Sequence, residues 1–483
     1  MNEENPINAI MNADSIAFFG ASNNPTTMGT IQCMNLLNGD YRGKVYPVHP
    51  KEEQVLGLKA YKNVKEIPDV PQLAVLVLPT GIVPEIMSQC AKKGIKRAII
   101  ISGGFKEKGE KGKALELKLK DITNQYGLRF IGPNCIGVIN STKNMNVTFF
   151  PYHLGEGPLG LVSQSGTYVT QSLPYLERMG MRYSKAMSLG NEADIDLVDG
   201  INYLGDDSQT KAIAVYIEVI RRGRDFIETA KMVSLKKPIV AYYVGGTEAG
   251  ARAGMSHTGA IGGSDEIHTA VFKQCGIIRA PTVEALYDWA WALATQPLPK
   301  GRRVGIVSHS GGPVTSMADA CSRAGLDVPR LSSATQEKLA PYVPATGSTA
   351  NPVDLTFSMS PDVMANVIPN ILYESGEVDA VLVHGIMLSG FMRGMKGKTN
   401  TANLVIDRET VKKLAQSFHE KLVELSQNKG CPVLTSSFGD REDEAVDFIV
   451  RNNIPCYPAP ERAVHALKAM VVYSEWIRGT NAK

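Results

Sequence analysis

An α/β protein built on parallel sheets, with a Rossmann-like unit at its start, is the fold class this sequence predicts. Three observations predict it. Short apolar runs alternate with helical stretches almost throughout, and the runs end in turns of small residues. Two segments rich in Pro divide the 483 residues into three lengths of about 150. Continuous apolar strands between helices belong to parallel sheets covered on both faces. Composition agrees, with 43% apolar and 20% charged residues, ordinary values for a soluble globular chain. A net charge of +3 without a basic run gives nucleic-acid binding no support. No apolar stretch approaches the ~20 residues that span a bilayer. The N-terminal MNEENPINAIMNAD has neither an apolar signal core nor an Arg-rich presequence, so the expected location is the cytoplasm. Seven scattered cysteines without a CxxC pair read as reduced thiols, with no disulfide frame and no metal site.

In the first region the strand signals are SIAFFGAS (15–22), KVYPVHP (44–50), LAVLVLPT (73–80), RAIIISGG (97–104) and LRFIGPNC (128–135), with a helix from Ile82 to Lys93 among the intervening stretches. PYHLGEGPLG (151–160) reads as a linker. A second unit opens with LGLVSQSGT (159–167) and continues through YSKAMSLGN, AIAVYIEVI and PIVAYYVGG to a helix around VEALYDWAWAL. TQPLPKGRR (295–303) is a second linker. The third unit opens with RVGIVSHSGG (303–312), runs through VDAVLVHGI and CPVLTSSFG, and closes on a helix from Pro460 to Trp476. The expected domains are therefore 1–150, 151–298 and 299–483.

Val162–Gly166 reads VSQSG and Val307–Gly311 reads VSHSG. Each ends a strand signal and precedes a helix signal. Such a turn leaves N–H groups free at a helix start and suits phosphate; the alternative is a design common to any α/β turn. The first turn, Gly20–Gly29, is poorer in glycine than the dinucleotide fingerprint, and its second strand ends at His49-Pro50-Lys51 instead of an acid. A cation there fits a phosphorylated ribose, as in CoA; the alternative is NADP or no ligand. Gly245–Gly263 is small-residue-rich and contains His257. A nucleophilic histidine needs one ring nitrogen free and the other held. Glu218, ending the strand AVYIE near Gly190-Asn191 of the preceding strand, is placed as a carboxylate at an α/β active site would be; a solvated strand end is the alternative.

From Ser15 to Trp476 the chain resembles the α subunit of ADP-forming acetyl-CoA synthetases, within the succinyl-CoA synthetase superfamily. The resemblance rests on GASNNPTTMG, YRGKVYPVHPK, GLKAY, IGPNCIGVIN, LVSQSGT, GNEADID, YIE, SHTGAIGG, NPVDL and IPCYPAPERAVHAL, in the family's order. It implies a CoA-binding Rossmann-like domain followed by two flavodoxin-like domains. The implied reaction interconverts acyl-CoA, ADP and phosphate with acid, CoA and ATP through an acyl phosphate and a phosphohistidine at His257, with Glu218 as its partner. It implies phosphate binding at Ser163, Gln164, Ser165, Gly166, Gly311 and Gly312. It implies CoA binding at Gly20, Ser22, Asn23, Pro25, Lys51, Pro79, Ser102, Gly103, Asn134 and Cys135. SHSGG departs from the Asn that many relatives carry near these glycines. No segment reads as an ATP-grasp domain, so the resemblance implies an ATP-grasp β subunit holding ADP or ATP and Mg²⁺, in an α2β2 assembly. The rivals are a non-catalytic CoA-binding regulatory protein of the same fold and an NADP-dependent oxidoreductase.

Overall fold

The computed structural model describes residues 5–250, 252, 264–356, 358, 360–387 and 408–481. The chain forms two compact units, one of Met1–Pro174 with Arg182–Thr282, the other of Tyr175–Met181 with Val283–Lys483.

The first unit holds two sheets and a small ribbon. Its first sheet contains β1 (Ser15–Phe19), β2 (Lys44–Val48), β5 (Leu73–Leu76), β6 (Arg97–Ile100) and β7 (Arg129–Ile131), in the order β2-β1-β5-β6-β7 and parallel throughout. The ribbon is β3 (Gln54–Val55) against β4 (Leu58–Lys59). The second sheet contains β8 (Val138–Asn140), β9 (Met145–Asn146), β10 (Leu159–Ser163), β11 (Tyr183–Ser188), β12 (Ala212–Ile217), β13 (Ile239–Tyr243) and β14 (Ile278–Arg279), ordered β14-β13-β12-β10-β11-β8-β9. The strands from β10 to β14 are parallel, whereas β8 joins β11 antiparallel and carries β9 outside it. The strands are this buried because Ile, Val, Leu and Ala fill consecutive positions and helices cover both faces.

One apolar cluster joins the two sheets, running from Ile7, Ile10 and Met11 through Ile99 and Val138 to Val215 and Phe272. A short helix, Pro6–Met11, sits in it. Asn5 caps this helix by accepting from the Ile7 N–H at 3.0 Å, and Pro6 takes the first position, where no N–H is needed.

The second unit has one parallel sheet, β16-β15-β17-β18-β19, made of β15 (Val304–Ser308), β16 (Val353–Asp354), β17 (Ala380–His384), β18 (Val433–Ser436) and β19 (Cys456–Tyr457). Helix Val283–Thr295, which the sequence suggests as the end of the middle region, groups with this unit by its contacts and packs against the C-terminal helix Pro460–Asn481. The reason lies in its side chains. Trp291 and Leu286 are buried, and Asp288 accepts from the Tyr175 hydroxyl at 2.7 Å and from Arg462 Nε at 2.8 Å. Burial pushes the Asp288 carboxyl up to about 6 despite the guanidinium.

Counted within its own region, each sheet has the order 2-1-3-4-5. The strand order therefore reverses between the first and third strands, where ligands of open α/β sheets bind, beyond the carboxyl ends. The turns after β1, β10 and β15 all stand at such a point.

Candidate functional site

The turn after β1 begins at Gly20, whose φ is +96°. A Cβ there would lie 1.9 Å from the Val77 carbonyl oxygen, so only glycine permits this approach to the end of β5. The Ser22 N–H donates to Thr30 Oγ1 at 3.0 Å, fastening the turn to helix Met28–Asn38. Asn23 donates to the Gln54 carbonyl at 2.9 Å and accepts from the Leu56 N–H at 3.0 Å, tying the turn to the ribbon. Pro25 and Lys51 are exposed, and the Lys51 N–H donates to His49 Nδ1 at 3.2 Å. After β5, Pro79 is exposed. Ser102, beyond β6, donates to the Leu78 carbonyl at 2.6 Å and accepts from the Leu78 N–H at 3.0 Å. The structure thus brings Gly20, Ser22, Asn23, Pro79, Ser102, Gly103 and Asn134 to the carboxyl edge of the first sheet. Cys135 follows Asn134 and is buried. Its side chain is 5% exposed, its thiol donates to the Ile100 carbonyl at 3.3 Å, and burial pushes its pKa up to about 12.

At the second sheet, Ser163 is buried; its hydroxyl donates to the Ser165 carbonyl at 2.6 Å and accepts from the Ser165 N–H at 3.2 Å. This closes the turn and leaves Ser165 and Gly166 half-buried. The helix expected next comes in two pieces: one turn, Thr167–Thr170, precedes a separate helix, Leu173–Met179. Any phosphate held at Gly166 would depend on turn N–H groups, since a four-residue helix carries little dipole. Gln164 is buried. Its side-chain carbonyl accepts from the N–H groups of Glu218 at 2.5 Å and Val219 at 3.0 Å, and its amide donates to the Val219 carbonyl at 2.7 Å and to Glu192 Oε2 at 2.8 Å. That side chain is engaged within the chain.

Glu218 directly follows β12 and is half-buried. Beside it lie Tyr216 and, against Tyr216, Tyr168 with ring centroids 4.3 Å apart. Burial first, then the Glu218 charge, pushes the Tyr216 hydroxyl well above its ordinary pKa. His257 lies outside the described residues.

Sequence reasoning missed Glu192. It is 7% exposed, has φ +51°, and accepts from Gln164, from the Leu197 N–H at 2.9 Å and from Arg221 Nε at 3.1 Å. Burial raises its carboxyl to about 7 against the pull of Gln164 and Arg221. The only sequence signal was its place in GNEADID. Its neighbour Asn191 donates to Glu107 Oε2 at 2.6 Å and to Glu116 Oε2 at 3.1 Å, and accepts at its carbonyl from Lys106. Asn134 donates to Asn191 Oδ1 at 3.3 Å.

In the second unit, the Ser308 hydroxyl accepts from the Ser310 N–H at 3.2 Å, as in the turn after β10. Gly311 and Gly312 open the 13-residue helix Gly311–Arg323 and are exposed. His309 Nδ1 lies 2.8 Å from Ser310 Oγ, and its Nε2 is buried without a partner among the described residues. His384, held at 2.9 Å from Ser436 Oγ, is lowered to about 4 by burial and then by His309.

Similarity to known proteins covers the same ground. The family pattern described as a CoA binding domain matches residues 14–141, that of the succinyl-CoA ligase like flavodoxin domain residues 156–293, and that of the Ligase-CoA domain residues 304–482. Together these define the class, CoA ligases of the succinyl-CoA ligase type. The α subunit of acetate–CoA ligase [ADP-forming] I from Pyrococcus furiosus is 37% identical over 97% of this chain and 98% of its own. The 4-hydroxybutyrate–CoA ligase [ADP-forming] of Nitrosopumilus maritimus is 36% identical over 98% of this chain, which spans 65% of that longer protein. A solved structure of the dinucleotide-forming acetyl-coenzyme A synthetase 1 of Ca. Korarchaeum cryptofilum, in complex with phosphate and ADP, superposes with a TM-score of 0.86 at 32% identity, covering 99% of both chains. The chain belongs to the family of α subunits of ADP-forming acetate–CoA ligases.

Proposed function

We propose that this chain is the CoA-binding, phosphoryl-accepting subunit of an acyl-CoA synthetase that interconverts acyl-CoA, ADP and phosphate with a carboxylic acid, CoA and ATP. The observation that carries the reading is the meeting of two sequence-distant elements at the switch point of the second sheet. There the Ser163–Gly166 turn and Glu218 are fastened together by the 2.5 Å bond from the Glu218 N–H to Gln164. A carboxylate held beside a turn of N–H donors is what a phosphorylated imidazole requires on its two sides.

In this reading CoA lies along Gly20, Ser22, Asn23, Pro25, Lys51, Pro79, Ser102, Gly103 and Asn134. A phosphate oxygen attacks the thioester carbonyl, the carbon–sulfur bond breaks, and CoA leaves as thiolate. A ring nitrogen of His257 then attacks phosphorus and the carboxylate departs. Ser163 shapes the turn whose Ser165 hydroxyl and Gly166 N–H face the phosphoryl oxygens, while Glu218 holds the other ring nitrogen. Gly311 and Gly312, at the start of a full-length helix, form the second phosphate turn. ADP or ATP and Mg²⁺ belong to an ATP-grasp β subunit, the α2β2 complex acting in the cytoplasm. The domains in this scheme are 1–150, 151–298 and 299–483, with helix Val283–Thr295 packed into the last.

The test is covalent labelling. With its partner, Mg²⁺ and γ-labelled ATP, the chain should acquire an acid-labile, base-stable label at His257, and His257→Ala should acquire none. Label persisting in that variant rules out the assignment. No ATP-dependent turnover is expected from the chain alone; acyl-CoA made without a partner contradicts the two-subunit reading.

A further inference from the structure

The centre of the first unit contains a polar chain that runs from the loop after β6 to the backbone of Glu218. It starts at the loop after β6, where the Glu107 carboxylate accepts from the Phe105 N–H at 3.1 Å and from Asn191 at 2.6 Å. Asn191 is 2% exposed and also receives Asn134 at 3.3 Å. The next residue, Glu192, receives Gln164 at 2.8 Å. Gln164, 5% exposed, grips the backbone of Glu218 and Val219 through both ends of its amide. Its own N–H donates to the Tyr216 carbonyl at 3.3 Å. Four loops, after β6, β7, β11 and β12, are thereby referenced to the single turn after β10.

We infer that Gln164 and Glu192 are positioning residues for Glu218. Gln164 fixes the backbone that carries the catalytic carboxylate, and Glu192 fixes Gln164. The geometry argues for this because a side-chain amide has two acceptor sites and two donor protons, and Gln164 commits each of them. Three of the four contacts go to the Glu218–Val219 backbone and the fourth to Glu192, whose other oxygen is anchored by the Leu197 N–H at 2.9 Å. The backbone at Glu218 thus has no freedom to shift unless two buried groups lose their partners. The inference rests on the acyl-CoA synthetase reading and adds to it the means by which Glu218 is aimed.

The experiment uses the complex with the ATP-grasp partner. In Gln164→Ala, kcat should fall about 10²-fold, the scale of a displacement near 1 Å at a reacting group, while KM for CoA stays within about twofold. Gln164→Glu supplies a readout that a purely structural role would not move. The introduced carboxyl would face Glu192, with Arg221 and Glu218 beside β12, Asp196 on the helix cap and Lys106 from the first sheet around the pair. Two adjoining carboxylates do not both ionise readily. When protonated, the introduced group donates to Glu192 as the amide does. The activity of Gln164→Glu relative to the parent should therefore climb as pH falls from about 8 to about 6. Parental kcat in Gln164→Ala overturns the inference. So does a kcat loss matched by loss of folded protein, with a Gln164→Glu ratio that is flat in pH. If the parent complex itself turns over no acid, CoA and ATP, the synthetase reading fails and this inference falls with it; an active parent with an active Gln164→Ala sinks the inference alone.

Discussion

The turns after β10 and β15 share a sequence, VSxSG, and a geometry. In each, a buried first serine accepts the N–H of the second at 3.2 Å. They differ in what surrounds that shared loop. Ser163 pairs with Tyr216 on the third strand of its sheet, and two residues further stands Glu218. Ser308 pairs with His384 on the third strand of its own sheet, and two residues further stands the buried Ile386. One turn is wired to a carboxylate through Gln164. The other carries His309, whose Nε2 finds no partner among the described residues, and opens a helix of 13 residues instead of four. The same five-residue signal therefore produces a turn tied through Gln164 to the backbone of Glu218 and a turn that opens a full-length helix. The signal sets the loop; the neighbouring strand sets its chemistry.

The largest effect that tests this asymmetry is at Glu218. Glu218→Gln keeps the size and removes the charge, so phosphorylation of the chain should fall by roughly two to four orders of magnitude in a single-turnover labelling assay. Labelling near the parental rate would make the two turns functionally alike. A smaller effect separates the serines. Ser163→Ala and Ser308→Ala each remove an internal acceptor from a buried turn and should each destabilise by about 1–3 kcal/mol, seen in the unfolding midpoint. Their effects on turnover should diverge, with the loss for Ser163→Ala at least tenfold the larger on the scale of one misplaced donor. Equal losses would mean that the carboxylate adds nothing.

The mildest test uses pH. The Glu192 carboxyl is raised from 4.5 to about 7, chiefly by burial. Between those values the folded chain holds a proton that the unfolded chain has released. Stability from this site is therefore complete below pH 4.5 and is lost as pH climbs through about 7. Glu192→Gln should flatten the stability–pH curve over that window. An unchanged curve would show that Arg221 and Gln164 keep the group ionised throughout.

Much of the fold was legible because parallel strands buried on both faces are written as continuous apolar runs, as in Ile16–Phe19 and Ile213–Ile217. β8 and β9 were not legible, since three- and two-residue strands carry too little pattern, and β8 pairs antiparallel with β11, far along the chain, while β9 pairs only with β8. The break after Thr170 did have a signal in Pro174, which sits at the second position of a new helix. At the site, Glu218 could be read because it terminates a strand. Glu192 could not, because its importance comes from Gln164 and Arg221, about 28 residues away on either side, and no spacing rule connects them. The burial of the Cys135 thiol against the Ile100 carbonyl was not legible, because the contact is made 35 residues away along the chain.

The strand pair β8–β9 has a bearing on modularity. Its residues precede the linker at 151–160, yet they form the outer edge of the sheet that follows the linker. Helix Pro6–Met11, from the very start of the chain, is likewise buried in apolar contacts shared by both sheets. A cut at the linker would therefore not release two finished modules. It would strip β11 of its antiparallel neighbour and leave a row of unpaired backbone groups beside newly bared isoleucines, a surface that recruits other strands. The two sheets of the first unit are thus laced together by exchange of pieces.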